Sequence, residues 1–279
     1  VTDDFFGMLD DSESISSTDQ LDIGIGRLLA TDVNSATQLV NKIEHYMNNG
    51  SDLYNGSAIC CDGNQGNKTF GDWRLKVVQI ADDEDNNYFI VNDTEPHYSI
   101  LKENNREINS TKIYLDAYPQ QTTAGGQRYP DVNQAINNCV ERGALITHYV
   151  GHGGEVGLAQ ERVVTIPEIQ SWRNINAMNL FVSNTCEFTR YDDPGRISAG
   201  EWISLNPNGG GIALMTTTRP VFFSVNTETG EAFYNNVFKL DEDSTIMAMG
   251  EIIRRTKNES GTQENKRCFT LIGDPALKL

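Results

Sequence analysis

The chain has 279 residues, 38% hydrophobic and 22% charged, which is enough to build a sizeable core and unlike a disordered polymer. Its formal net charge of −17 argues against nucleic acid, whose phosphates need clustered Lys and Arg, and against docking on anionic lipid through a basic patch. No run reaches the ~18 apolar residues of a membrane span.

The chain opens at Val1 without an initiator Met or a signal peptide, and reads as a piece of a longer protein. Leu21, Ile23 and Ile25 alternate with Asp22, Gly24 and Gly26, which predicts a strand. Ser35 and Gln38 have the spacing of a capping box, with a helix following through Leu39, Val40, Ile43 and Met47. Residues 50–71 are rich in Asn, Gly, Ser and Asp and predict an exposed connection at a subdomain boundary. A second α/β run begins at Asp72. Strands are expected over 75–80, 113–115, 145–150, 180–184, 211–215 and 269–272. Helices are expected after Asp131, after Thr165 and Ser198 (each three residues before a Glu), and over 228–238 and 245–256. The alternation of strand and helix predicts a mainly parallel sheet covered on both sides.

Five cysteines are present and no C-x-x-C pair, which disfavours a zinc or thioredoxin-like site. Cys139 and Cys268 lie in apolar patterns and read as small core residues. Cys186 differs: it follows the apolar run 180–184, as His152 follows the run 145–150. In an open α/β sheet, ligands bind beyond the carboxyl ends of parallel strands, so spacing alone suggests a Cys–His nucleophilic site. The backbone N–H groups of Gly153 and Cys186 are candidate oxyanion donors. A carboxylate to orient the imidazole is expected from Asp82, with Asp83 second and Glu155 an alternative. Glu187, Thr217, Val221 and Phe222 are expected to border the substrate, Val221, Phe222 and Phe223 as a pocket wall. The acidic runs 82–85 and 241–243 read first as solvated surface and second as calcium ligands.

Two motifs carry a family resemblance. Tyr149-Val-Gly-His152-Gly-Gly and Asn184-Thr-Cys186-Glu resemble the histidine and cysteine motifs of the gingipain family of cysteine peptidases, and the closing stretch 271–279 is similar to that family's domain end. Further stretches across the chain, including 112–119, 125–130 and 186–194, are most similar to the family's branch of cell-surface sortases and signal peptidases of the type IX secretion system in Bacteroidetes. The resemblance implies a caspase–gingipain-like α/β fold, a mainly parallel sheet flanked by helices. Residues 1–71 would be the end of a truncated N-terminal α/β subdomain with its connection, and residues 72–279 the caspase-like catalytic subdomain. It implies that His152 and Cys186 are the catalytic pair, with Asp82 where gingipains carry a glutamate. It also implies that structural calcium is compatible with the acidic loops, though no cofactor is required. The partners implied are protein substrates bearing C-terminal sorting domains and other type IX secretion components, at the outer-membrane surface of the cell envelope. A general surface endopeptidase and a catalytically silent binding module are the alternatives.

Overall fold

The computed structural model describes residues 2–16, 18–47 and 71–279. The expected connection, apart from Gly71, and Cys60 and Cys61 lie outside the described residues. In chain order the elements are α1 (Val33–Met47), β1 (Lys76–Ala81), α2 (Glu84–Tyr88, a single irregular turn with left-handed residues at its centre), α3 (Glu95–Asn104), β2 (Asn109–Tyr114), and a hairpin of β3 (Gln121–Thr123) and β4 (Gly126–Arg128). There follow α4 (Pro130–Arg142), β5 (Ile146–Val150), and three short strands, β6 (Gly153–Gly154), β7 (Gly157–Leu158) and β8 (Val164–Thr165). The chain continues with α5 (Ile166–Ser171), β9 (Asn179–Asn184), α6 (Ala199–Leu205), β10 (Gly211–Thr217), α7 (Phe223–Asn236), α8 (Met249–Glu259) and β11 (Phe269–Ile272).

Six of the strands form one sheet in the order β11-β10-β9-β5-β1-β2. All its pairs are parallel except β10–β11. Successive side chains alternate between two cores, as the pleat requires. Leu180 and Val182 pack with Leu101 of α3, Phe233 of α7 and Ile252 of α8. Phe181 faces the other way, with Val132 of α4, Ile169 of α5 and Ile203 of α6. This is the doubly covered, mainly parallel sheet that the pattern predicts. From β1 the chain moves outward to β2 and then returns to β5 on the other side of β1. The topological switch point therefore lies between β1 and β5, at whose carboxyl edge open α/β sheets bind their ligands.

The capping boxes expected at Thr165–Glu168 and Ser198–Glu201 are both formed. Two N-terminal expectations need correction. Residues 21–27 form no strand; only Arg27 bridges Ile272 of β11. Gly24 instead crosses the start of α8, so close that a Cβ there would lie 2.2 Å from the Gly250 carbonyl carbon. Helix α1 begins at Val33, ahead of Ser35, because Asp32 accepts from the Ser35 N–H at 2.7 Å while Ser35 Oγ accepts from the Asp32 N–H at 3.1 Å.

Polar anchors join this N-terminal part to the sheet. Lys42 Nζ donates to the carbonyls of Ser204 (2.7 Å), Gly209 (2.9 Å) and Gly211 (3.2 Å). Buried Asp4 pairs with Lys257 at 2.5 Å and with Arg267 at 3.2 Å.

Between β1 and α3, a π-helical turn (Phe89–Thr94) carries buried Asp93, which accepts from Thr227 Oγ1 on α7. Burial pushes this carboxyl up to about 7, against the Thr227 bond and with help from nearby Glu231, where an ordinary aspartate titrates near 3.8. Between those two pH values the folded chain holds a proton that the unfolded chain has released. This group's contribution to stability is thus full below about pH 4 and is lost as pH rises through about 7. Asp93→Asn keeps the acceptor and removes the charge. It should raise Tm at pH 8 by a few degrees and flatten the decline of Tm from pH 5 to 8; an unchanged pH–Tm profile would refute this assignment.

Candidate active site

Strands β5 and β9 are adjacent and parallel, with Val150 opposite Asn184. His152 and Cys186 each lie two residues beyond that pair, in the turns that follow strands roughly 4.8 Å apart. The turn between strand and histidine depends on Gly151. Its φ is +154°, and a Cβ there would meet Asp82 Cβ at 2.3 Å. Its N–H donates to the Asn184 carbonyl at 3.3 Å, tying the two strand ends together.

The main chain of His152 is held at several points. Its N–H donates to Asp82 Oδ2 at 2.9 Å. Its carbonyl accepts from the Tyr149 hydroxyl at 2.6 Å and from the Ala159 N–H at 2.8 Å. The ring is held separately: Nε2 lies 2.7 Å from Asp85 Oδ2, and the imidazole meets Phe89 and Phe223 edge-on, at centroid distances of 5.3 and 5.9 Å. Asp82, expected beside the imidazole, is thus found beneath its backbone. It ends β1, is fully buried, and makes no hydrogen bond to the ring. Burial raises its pKa, opposed by the His152 amide bond and the His152 charge. Asp83 is taken by the Tyr129 hydroxyl at 2.6 Å, and Glu155 by Arg190 at 2.9 Å and Arg196 at 3.2 Å.

Asp85 belongs to the acidic run 82–85, and in sequence it reads as solvated surface or a calcium ligand and not as a partner of the histidine. It reaches the ring because Asp85, Asn86 and Asn87 take left-handed φ of 54°, 58° and 61°. Asp and Asn tolerate that region better than other side-chain-bearing residues. The Asp-Asn-Asn run after a strand was the available signal.

Cys186 sits in the turn after β9, half-buried, and Glu187 follows it with a φ of +49°. Such strain persists where the surroundings over-determine the backbone. Here the Glu187 N–H is fixed to the Arg219 carbonyl at 3.4 Å, and the Thr189 N–H to the Thr217 carbonyl at 3.0 Å. Thr217 Oγ1 in turn donates to the Thr185 carbonyl. Thr217, expected to border substrate, is fully buried; its place is a brace behind the Cys186 turn. The thiol donates to the Val221 carbonyl at 3.7 Å and does not hydrogen-bond His152. Glu187 lies 3.8 Å from Arg190. Val221 is buried, while Phe222 is 65% exposed.

Both candidate oxyanion donors are left free. The Cys186 N–H makes no hydrogen bond among the described residues. The Ala159-to-His152 bond makes Gly153 and Leu158 a non-hydrogen-bonded antiparallel pair, so the ladder does not consume the Gly153 N–H. Gly153 also lies against the cysteine turn: a Cβ on it would meet Thr185 Oγ1 at 2.7 Å. Among the described residues no group of three or more His, Cys, Asp or Glu is arranged to hold a metal ion, so no calcium ligands are assigned. No described helix is long and apolar enough to cross a membrane.

A parallel α/β sheet presenting a histidine and a cysteine at neighbouring strand ends defines a domain of the cysteine-peptidase class. The chain belongs to peptidase family C25, whose model matches residues 1–279. Its fold is that of the Arg-specific cysteine proteinase gingipain R: TM-score 0.71, 13% identity, covering 100% of this chain and 59% of that one. It is equally similar to the complex of the pro- and mature domains of RgpB from Porphyromonas gingivalis, with TM-score 0.71, 14% identity, 100% of this chain and 60% of that chain. The chain therefore spans about three-fifths of the solved structures it resembles. No curated protein matches it in sequence.

Proposed function

We propose that the domain cleaves peptide bonds through an acyl-thioester on Cys186. The observation that carries this reading is the placement of His152 and Cys186 two residues past the paired ends of adjacent parallel strands, with the imidazole pinned at Nε2 by Asp85. The carboxylate holds one ring nitrogen and leaves Nδ1 for the thiol. The thiol leaves the Val221 carbonyl and gives its proton to His152, and the sulfur attacks the scissile carbonyl. The N–H groups of Cys186 and Gly153 receive the developing oxyanion. His152 returns the proton to the departing amine, and water or a second amine resolves the thioester. This chemistry draws on side chains and main-chain N–H groups alone and requires no cofactor.

In this scheme Asp85 positions the imidazole and Asp82 supports the turn beneath it. Asp85→Asn should lower kcat by about ten- to a hundredfold, less than for a buried triad carboxylate because Asp85 is partly exposed, with Tm unchanged. Asp82→Ala should lower Tm. Steady-state kinetics with thermal melts check the pair, and the opposite pattern would return the orienting role to Asp82.

The finer reading is a PorU-type sortase and signal peptidase acting at the outer-membrane surface. It would remove C-terminal sorting domains from cargo of the type IX secretion system, together with other components of that system, and pass the new carboxyl end to an amine of an anionic lipopolysaccharide. The similar stretches across the chain support it. Incubation with a cargo protein bearing its sorting domain tests it. A single cut at the domain junction, with an aminolysis product when an amine acceptor is added, is expected. Scattered cleavage without that product would leave a general surface endopeptidase. Alkylation of Cys186 by iodoacetamide no faster than a free thiol, and unchanged in His152→Ala, would leave a silent binding module.

A further inference from the structure

We infer that Glu155 is a positioning residue, which sets the spacing of the histidine and cysteine turns through its bonds to the loop after Cys186; this rests on the peptidase reading above and adds a residue to the same site. The final ladder pair of β5 and β9 is Val150 with Asn184, and one further main-chain bond joins the Gly151 N–H to the Asn184 carbonyl. Beyond that point the two turns share no ladder. Each reacting side chain is then held by a different neighbour, the imidazole by Asp85 and the thiol by the Val221 carbonyl. Proton transfer from the thiol to His152 therefore depends on how the turns stand to each other, and a misplacement of about 1 Å can cost on the order of a hundredfold in rate.

The histidine turn has little of its own to fix it. Of residues 153–157, Gly153, Gly154 and Gly157 carry no side chain and Val156 is 56% exposed. Glu155, at the tip of the β6–β7 hairpin, supplies the remaining side chain, and it is turned inward, 13% exposed. Its Oε1 accepts from Arg190 at 2.9 Å, and its Oε2 lies 3.2 Å from Arg196 Nε. Its carbonyl accepts from the Ala199 N–H at 2.7 Å, one of the first-turn donors that α6 cannot satisfy internally. Arg190 stands four residues past Cys186 and also lies 3.8 Å from Glu187. Among the described residues, every hydrogen bond and ion pair between residues 152–158 and 185–199 runs through Glu155. Charge-assisted bonds are roughly twice as strong as neutral ones, and this carboxylate is largely shielded from water. Glu155 makes no bond to the imidazole, so it acts through the two turns and not on the ring. The guanidinium ends are partly exposed, and such pairs add little to stability, so loss of the clamp should show in rate before it shows in Tm.

The test measures the rate of Cys186 alkylation by iodoacetamide at neutral pH, which His152 should accelerate, and kcat and KM on a fluorogenic peptide, with thermal melts alongside. Glu155→Gln should lower the alkylation rate and kcat by about tenfold or more, with KM within about threefold and Tm within about two degrees of the parent. Arg190→Gln should act in the same direction, and Arg190→Lys, which keeps the charge, should recover part of the loss. The double variant Glu155→Gln with Arg190→Gln should be no slower than Glu155→Gln alone, because both substitutions break one interaction. Rates within about twofold of the parent in both single variants, losses that multiply in the double variant, or a slowdown that the melts trace to partial unfolding overturn the inference. The peptidase reading stands through all three of those outcomes so long as His152→Ala slows alkylation. If His152→Ala is alkylated as fast as the parent, the peptidase reading falls and the inference with it.

Discussion

Cys186→Ala is expected to reduce peptide-bond cleavage by on the order of 10⁴-fold or more, with Tm within about two degrees of the parent. The two outcomes are separable because the thiol contributes little to the fold. It is half-buried and makes one long hydrogen bond, to the Val221 carbonyl at 3.7 Å. The turn that presents it is held by other groups: Thr217 Oγ1 on the Thr185 carbonyl, the Thr189 N–H on the Thr217 carbonyl, and the Glu187 N–H on the Arg219 carbonyl. Any residual rate should come from substrate binding and the oxyanion N–H groups, which the substitution leaves in place. Single-turnover assays with a fluorogenic peptide, alongside calorimetry, measure both quantities. Cleavage within tenfold of the parent would move the nucleophile elsewhere.

Gly151→Ala should be the most damaging one-atom change in the site. A Cβ there lies 2.3 Å from Asp82 Cβ and 2.7 Å from the Tyr149 hydroxyl, on a backbone with φ of +154°. Relief requires moving either the end of β1 or the His152 turn, and buried Asp82 is fixed to that turn by its 2.9 Å bond from the His152 N–H. The expected cost is about 3 kcal/mol, seen as a fall in Tm of roughly 5–10 °C together with loss of activity. Gly154→Ala is the matched control: nothing lies within 4 Å of its added carbon, so Tm should barely change. Equal effects from the two substitutions would show that the Gly151 turn is less constrained than its contacts indicate.

Five of the six sheet strands were legible because they are buried and read as apolar runs between turn signals, whereas the edge strand β2, exposed along most of its length, showed in sequence only at its end. Strand β11 coincides with the expected 269–272, and the two Ser/Thr–Glu capping boxes mark α5 and α6. His152 and Cys186 were legible because each ends such a run. The carboxylate at the ring was not, since strand periodicity places Asp82 at the end of β1 but says nothing of a left-handed turn three residues later that carries Asp85 back to the histidine. Thr217 misled for a related reason: residues at a strand's end look exposed in sequence, yet this hydroxyl is drawn inward by a main-chain carbonyl of the neighbouring turn. The segment 21–27 alternates like a strand, but its glycines serve close crossings against Gly250 and Gly273.

The three carbonyls gathered on Lys42 bear on where this chain can be cut. A boundary drawn at residue 71 suits the composition, yet severing there would strip the ammonium from the carbonyls of Ser204, Gly209 and Gly211, at the root of the strand whose far end braces Cys186. It would also remove Asp4, the carboxylate that pairs with Lys257 at 2.5 Å. An apolar seam can be trimmed and partly healed by collapse; a seam of ionic pegs cannot, because each peg withdrawn leaves bare charge or bare carbonyl behind. Residues 2–47 thus supply partners to the carbonyls of Ser204, Gly209 and Gly211 and to the side chains of Lys257 and Arg267, and a fragment that lacks them should melt at a lower temperature.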